Sequence, residues 1–64
     1  MEGYQQRVVD ENHELGEKLK DLRSFMHGDI YTALPAVEQG LLMVQLVAME
    51  NYSDSLSRRI ELFG

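Results

Sequence analysis

The sequence predicts an all-α protein built as a two-helix antiparallel hairpin that assembles into a homo-oligomeric helical bundle. Two observations predict the hairpin: apolar residues recur at helical spacing in both halves, and one break containing glycine and proline separates them. A third observation, an apolar stretch in the second half, predicts the assembly. We interpret the whole chain, residues 1–64, as a single domain with a long helix, a short connector turn and a second long helix.

The first helix is expected at about residues 4–27. Its apolar residues are separated alternately by four and three positions, which is typical of a coiled-coil seam. The seam consists of Val8, Asn12, Leu15, Leu19, Leu22 and Met26. His27 and Gly28 suit the end of the helix, because a cation is favourable near the last carbonyl groups and glycine commonly follows them.

A connector at residues 28–34 is expected to join the two helices. Asp29 is expected to cap a single short turn that lies over the end of the hairpin. Pro35 then suits the first position of the second helix, because its ring fixes φ and its missing N–H is not needed there. The second helix is predicted at about residues 35–63, which is roughly 43 Å at ~1.5 Å per residue.

An apolar stretch at residues 41–49 has Gln45 as its only polar position. A helix that is apolar on every side is normally buried on every side. Since one partner helix covers only one stripe, another helix must come from a second chain. The predicted oligomer interface consists of Leu41, Leu42, Met43, Val44, Leu46, Val47 and Met49.

Size and composition also favour assembly. The chain has 64 residues and no cysteine, and a domain this short buries only ~60% of the surface that its unfolded chain exposes. Disulfides are excluded, and no Cys/His cluster has the spacing of a metal site, so neither a metal nor another cofactor is expected. Oligomerisation is then the remaining source of stability.

The charge and hydropathy patterns exclude several functions. Eleven acidic and six basic residues give a net charge of −5, which disfavours binding to a DNA or RNA backbone but leaves a small anionic ligand possible. The N-terminus lacks the pattern of a signal peptide, and no apolar run is long enough to span a membrane. We therefore expect a cytoplasmic protein, in the bacterial host if it is viral. With no cysteine and no serine paired with a histidine, an enzyme is not expected.

A polar row on the second helix supplies candidate ligand-binding residues. Gln45, Tyr52 and Arg59 follow one another at seven-residue intervals, and an antiparallel hairpin closing near residue 31 brings this row towards the first helix. One interpretation is an internal network, with Glu11 paired to Arg59 and the Tyr52 hydroxyl. The other is a pocket in which Arg and Lys bind phosphate, Tyr stacks and Gln contacts a base edge. The candidates are Arg7, Glu11, Asn12, Lys18, Gln45, Tyr52 and Arg59.

Asn12 has two interpretations of its own. It is the one polar member of the first-helix seam. Such a residue commonly fixes the register or the oligomeric state at some cost in stability. Alternatively, its amide contacts a ligand.

The order and spacing of residues over about 7–63 resemble a family of very small bacteriophage and prophage proteins, named by similarity to a crAss-like phage protein. In the first helix the matching residues are Arg7-Val8-Val9-Asp10-Glu11, Glu14-Leu15, Lys18, Leu22 and Phe25. In the second half they are Leu34-Pro35, Glu38-Gln39, Leu41-Leu42, Gln45, Ala48-Met49, Tyr52, Leu56 and Arg58-Arg59-Ile60. The resemblance implies a phage accessory protein that acts in the bacterial cytoplasm.

Three functions are compatible with these features. By analogy with small helical phage anti-defence proteins, the first is a homo-oligomeric sponge that sequesters a nucleotide-type immune signal, such as a cyclic oligonucleotide or an ADP-ribose derivative. The second is an acidic interaction module that binds and inhibits a host protein. Its acidic residues at 10–17 and Asp21 would then imitate nucleic acid. The third is a helical assembly without a ligand.

Overall fold

The computed structural model describes residues 2–63, and this part of the chain is helical without any strand. Three helices follow one another: α1 at Gly3–Met26, α2 at Asp29–Ala33 and α3 at Ala36–Glu61. The all-α prediction is confirmed, with α1 and α3 as the two long helices. The limits predicted for the domain, residues 1 and 64, lie outside the described residues.

The connector contains a short helix, α2, where the sequence predicted only a turn. Gly28 takes the cap position in extended conformation, and Asp29 is the first helical residue, not the cap. There its carboxylate is favoured by the positive end of the helix. Pro35 likewise caps α3 at φ −56° and ψ 149° and does not begin it. Leu34 is extended because the proline ring disfavours helical conformation in the residue before it.

The hairpin core forms where α1 packs against α3. Its buried side chains are Val8, Leu15, Leu19 and Leu56, so the seam expected on α1 does face the second long helix. Leu56 is only 1% exposed and is the most deeply buried side chain of the described residues. On α3 the buried and half-buried positions recur at alternating spacings of three and four. These inner-face residues are Gln39, Leu42, Leu46, Met49, Ser53, Leu56, Ile60 and Phe63.

Hydrogen bonds from Gln39 hold the corner between α2 and α3. Its Nε2 donates to the carbonyl oxygens of Leu34 at 2.9 Å and Thr32 at 3.3 Å. The Tyr31 hydroxyl in turn donates to the carbonyl oxygen of Gln39 at 3.2 Å. The Tyr31 ring also meets the edge of Phe25, with ring centroids 6.4 Å apart. These contacts fix the direction in which α3 returns along α1.

The outward side of α3 is apolar and uncovered in the single chain. The residues predicted as an oligomer interface divide into two groups. Leu42, Leu46 and Met49 are half-buried on the inner face, and the other four are exposed. Together with Val37, which is 74% exposed, those four form the outer face of α3. The four are exposed to 64% at Leu41, 55% at Met43, 67% at Val44 and 54% at Val47.

Candidate ligand-binding site

The polar row on α3 lies at the edge of the seam between the two long helices. The Tyr52 hydroxyl donates a hydrogen bond to the Glu11 carboxylate, which places these two residues opposite each other. In an antiparallel pair, a step of seven residues forward on one helix and seven residues back on the other leads to another facing pair. Lys18 therefore lies opposite Gln45, and Tyr4 opposite Arg59. We call this surface the polar flank: Tyr4, Glu11, Lys18, Gln45, Tyr52 and Arg59.

The Glu11–Tyr52 contact is one part of the internal network that the sequence allowed. The Glu11–Arg59 ion pair of that network is absent from residues 2–63, where the ion pairs are Arg23–Glu50 at 2.8 Å and Arg58–Asp54 at 2.9 Å. Tyr52 is 45% exposed. Its hydroxyl is thus fixed by Glu11 while a large part of its ring remains open to solvent.

Three basic residues lie on this side of the molecule without an acidic partner in the described part of the chain: Arg7, Lys18 and Arg59. Arg7 follows Tyr4 by three positions and precedes Glu11 by four, so it neighbours the flank, on the row of α1 that also carries Glu14 and Asp21. All three side chains are exposed. This side of the molecule therefore presents exposed cations together with the exposed carboxylates of Glu11, Glu14 and Glu38.

Gln45 offers an amide next to these charges. Its Nε2 approaches the Met49 sulfur at 3.8 Å, and sulfur is a weak acceptor. The residue is exposed. Its amide oxygen and most of its donor capacity are therefore available to a ligand or to another chain.

Asn12 is the one predicted site residue that the structure places away from the flank. It lies half-buried in the seam, and its Oδ1 is buried without a hydrogen-bond donor among the described residues. An acceptor left in that state costs roughly 1–3 kcal/mol. The structure thus brings six of the seven candidates to one side of the hairpin and puts Asn12 inside it.

The aromatic residues at the open end of the hairpin were missed as candidates. Tyr4 meets the edge of Phe63 with ring centroids 6.0 Å apart, and it remains 55% exposed. The signal was present in the sequence, because Tyr4, Glu11 and Lys18 share the same seven-residue spacing. Tyr4 therefore adds a second exposed aromatic ring to the flank.

Comparison with known proteins shows the family of this chain. A family model described as Sequestin matches residues 2–62, which is nearly the whole chain. The chain belongs to the Sequestin family. It is also 36% identical over 63 residues to the "Uncharacterized 7.5 kDa protein in denB-rIIB intergenic region" of Enterobacteria phage T4, with 98% of each chain covered. No solved structure matches it.

The Sequestin match and the T4 relative together confirm the predicted relationship to small phage proteins. Neither indicates an enzyme. Within residues 2–63, no three His, Cys, Asp or Glu side chains are grouped so that they could hold a metal ion. None of the helices described in this Sequestin family member is long and apolar enough to cross a membrane.

Proposed function

We propose that this Sequestin family member is a non-enzymatic phage anti-defence protein. It self-associates and sequesters a nucleotide-type immune signal, a cyclic oligonucleotide or an ADP-ribose derivative, in the cytoplasm of the bacterial host. The family name supports sequestration. We also propose that the chain is related to the small phage proteins named by similarity to a crAss-like phage protein. The observation that carries the proposal is the grouping of unpaired cations, an available amide and exposed tyrosines on the polar flank.

Each group on the flank suits one part of a nucleotide. The cations Arg7, Lys18 and Arg59 neutralise phosphate, and a guanidinium also donates two parallel hydrogen bonds to it. The ring of Tyr52 stacks on a base, held in place by the bond from its hydroxyl to Glu11. Gln45 then donates to and accepts from a base edge.

Binding is tested by calorimetric titration with cyclic dinucleotides and cyclic ADP-ribose. We expect Lys18→Ala and Arg59→Ala each to weaken binding at least tenfold while native mass spectrometry shows the oligomer unchanged. Lys20→Ala and Arg58→Ala are the matched controls, because Lys20 lies on another side of α1 and Arg58 pairs with Asp54. Binding should also weaken as salt rises, because added ions screen the attraction between exposed charges, with a Debye length of ~10 Å at 0.1 M. If both flank variants bind as tightly as the wild type, the assignment of the flank is wrong.

A second candidate is the acidic interaction module. It is favoured by the outer side of α1, where Glu14, Glu17 and Asp21 are exposed and make no ion pair in the described residues. A host protein that normally binds nucleic acid would recognise this charge. The double variant Glu14→Lys, Glu17→Lys should then lose the host partner in pull-down experiments while nucleotide binding is unaffected. If the protein forms an oligomer but binds neither nucleotides nor a host protein, the remaining function is a helical assembly without a ligand.

A further inference from the structure

A ridge of small and medium-sized residues crosses the outer face of α3. Gly40, Val44 and Ala48 follow one another at four-residue spacing and are all exposed, and residues at that spacing form a continuous ridge on a helix surface. A Cβ built on Gly40 meets nothing within 4 Å. Packing within the single chain therefore gives no reason for a glycine there, although glycine is unfavourable inside a helix. A second helix that approaches closely at this ridge supplies the reason.

A shallow groove of about 410 Å³ lies beside the ridge. Its lining residues belong to two adjacent rows at four-residue spacing. One row is the ridge itself, with Val44 and Ala48, and the other contains Met43, Val47 and Asn51. When two helices pack, the ridge of each lies in a groove of the other. The outer face therefore carries both parts of a helix-packing surface.

The size and composition of the outer face fit a second copy of the chain. Its five exposed apolar side chains present on the order of 500 Å², which is at the upper end of the apolar patches that monomers expose. Two such faces together present about 1,000 Å², the lower limit for a specific interface. The outward side of α1 does not match this face, because it carries the exposed carboxylates of Glu14, Glu17 and Asp21, and burying a charge without a partner is costly. The matching surface on a second copy is the same face.

The charged residues around the outer face favour an antiparallel pair. Glu38 borders the face on the side of the polar flank, Glu50 borders it on the other side, and Asp54 follows it towards the C-terminus. In a parallel pair each of these acids lies beside its own copy on the partner, and like charges repel. In an antiparallel pair that crosses at Val44, the two copies of Glu38 lie about 18 Å apart along the helices, as do the two copies of Glu50. Each Glu38 is level with the partner's Glu50 but on the opposite side of the interface, and Arg23 pairs with Glu50.

We propose that two copies of the chain dock antiparallel through the outer face of α3. Val44 of each copy lies beside the other at the two-fold axis, and Gly40 of each lies beside the partner's Ala48. The two α3 helices then form the centre of the dimer, with the α1 helices outside them. This inference rests on the self-association in the proposed function, for which it specifies the surface and the direction, and it does not depend on the ligand.

Disulfide crosslinking tests the direction of docking. The chain has no cysteine, so a single introduced cysteine reports whether its position meets its own copy. Val44→Cys should form at least tenfold more disulfide-linked dimer under mild oxidation than Val37→Cys, as measured by electrophoresis without reductant. Val37 is the matched control, because it lies on the same row and is 74% exposed against 67% for Val44. Its two copies lie about 21 Å apart along the antiparallel helices, whereas a disulfide needs Cα atoms within ~7 Å.

Sedimentation tests the surface itself. We expect the wild type to be a dimer, and Val44→Asp to be a monomer that circular dichroism shows to be as helical as the wild type. Ile30→Asp is the control, because Ile30 is also 67% exposed but lies on α2. It should remain dimeric.

The other outcomes contradict the docking in different ways. Equal crosslinking of Val37→Cys and Val44→Cys would show a parallel pair. Crosslinking by neither variant, or a dimer that Val44→Asp leaves intact, would place self-association on another surface. A wild-type monomer would overturn both the docking and the self-association in the proposed function, and would leave the outer face for a host protein. A dimer that meets both expectations but binds no nucleotide would support the docking and overturn the nucleotide ligand alone.

Discussion

The inner and outer faces of α3 have similar apolar composition and opposite surroundings. On the inner face Leu56 is 1% exposed, and Leu46, Met49, Ile60 and Phe63 pack around the same core. On the outer face Val44 is 67% exposed. The inner face has its partner within the chain and the outer face does not. Apolar residues at seam spacing therefore identify a helix surface that packs against a partner. Whether that partner is a helix of the same chain is seen only in the folded structure.

The largest expected effect is on the inner face. Leu56→Ala should lower the free energy of unfolding by about 3 kcal/mol, because it removes a fully buried side chain and leaves a cavity. A chain of this size is stable by only about 3–10 kcal/mol, so the variant should lose between about a third and all of its stability. Urea unfolding followed by circular dichroism measures the change.

Val44→Ala on the outer face provides the contrast for Leu56→Ala. In dilute protein it should change the free energy of unfolding by less than about 0.5 kcal/mol, since the side chain is exposed. At high concentration it should destabilise more, because self-association through the outer face adds stability that depends on protein concentration. Equal losses in the two variants at low concentration would mean that the two faces do not differ as described.

The sequence predicted the parts of the fold that depend on local spacing. The two long helices and the α1 seam follow from residues such as Leu15 and Leu19, whose positions share one side of a helix. Within residues 41–49 the same reasoning failed to separate the two faces, because every position but Gln45 is apolar and no polar side marks the outside. The helix α2 was missed because a five-residue helix shows too little periodicity to be recognised.

The candidate site was predictable to a similar extent. The row of Gln45, Tyr52 and Arg59 follows from seven-residue spacing alone. Its pairing with α1 depends on the length and direction of the corner, which Gln39 fixes through hydrogen bonds between residues that no periodic pattern connects. Asn12 has the same spacing as its apolar neighbours, so the sequence left open whether its amide faces a ligand or the core.

A smaller effect is expected from Asn12, the polar residue in the seam of α1. Asn12→Leu should raise the free energy of unfolding by about 1–2 kcal/mol, because it removes a buried acceptor that has no donor among residues 2–63. Ser53→Ala, a change at a half-buried polar position on the facing helix, serves as the control. Chemical denaturation at one protein concentration compares the two variants.

Loss of stability in Asn12→Leu would show that the amide makes a hydrogen bond that the single chain does not contain. If the variant is instead more stable but forms a mixture of oligomers, the residue fixes the register, as polar residues at seam positions commonly do. Sedimentation of the variant beside the wild type distinguishes a mixture from one species.

The last comparison concerns the two glycines inside the long helices, and it separates the faces most directly. Neither Gly16 on α1 nor Gly40 on α3 has an atom within 4 Å of a Cβ built on it. In an isolated hairpin, alanine at either position should therefore stabilise the helix by about 1 kcal/mol. The two positions differ only if α3 has a partner.

Docking of two α3 helices would make the two substitutions unequal. Gly16→Ala should raise the free energy of unfolding at every protein concentration, because its surroundings are open. Gly40→Ala should give the same gain in dilute protein and weaken self-association through the outer face at high concentration, since the added methyl group lies next to Leu41 and Val44 of that face. Unfolding measured over a hundredfold range of protein concentration tests this. Parallel behaviour of the two variants over the whole range would place Gly40 outside any helix crossing, and the outer face of α3 would then need a different partner.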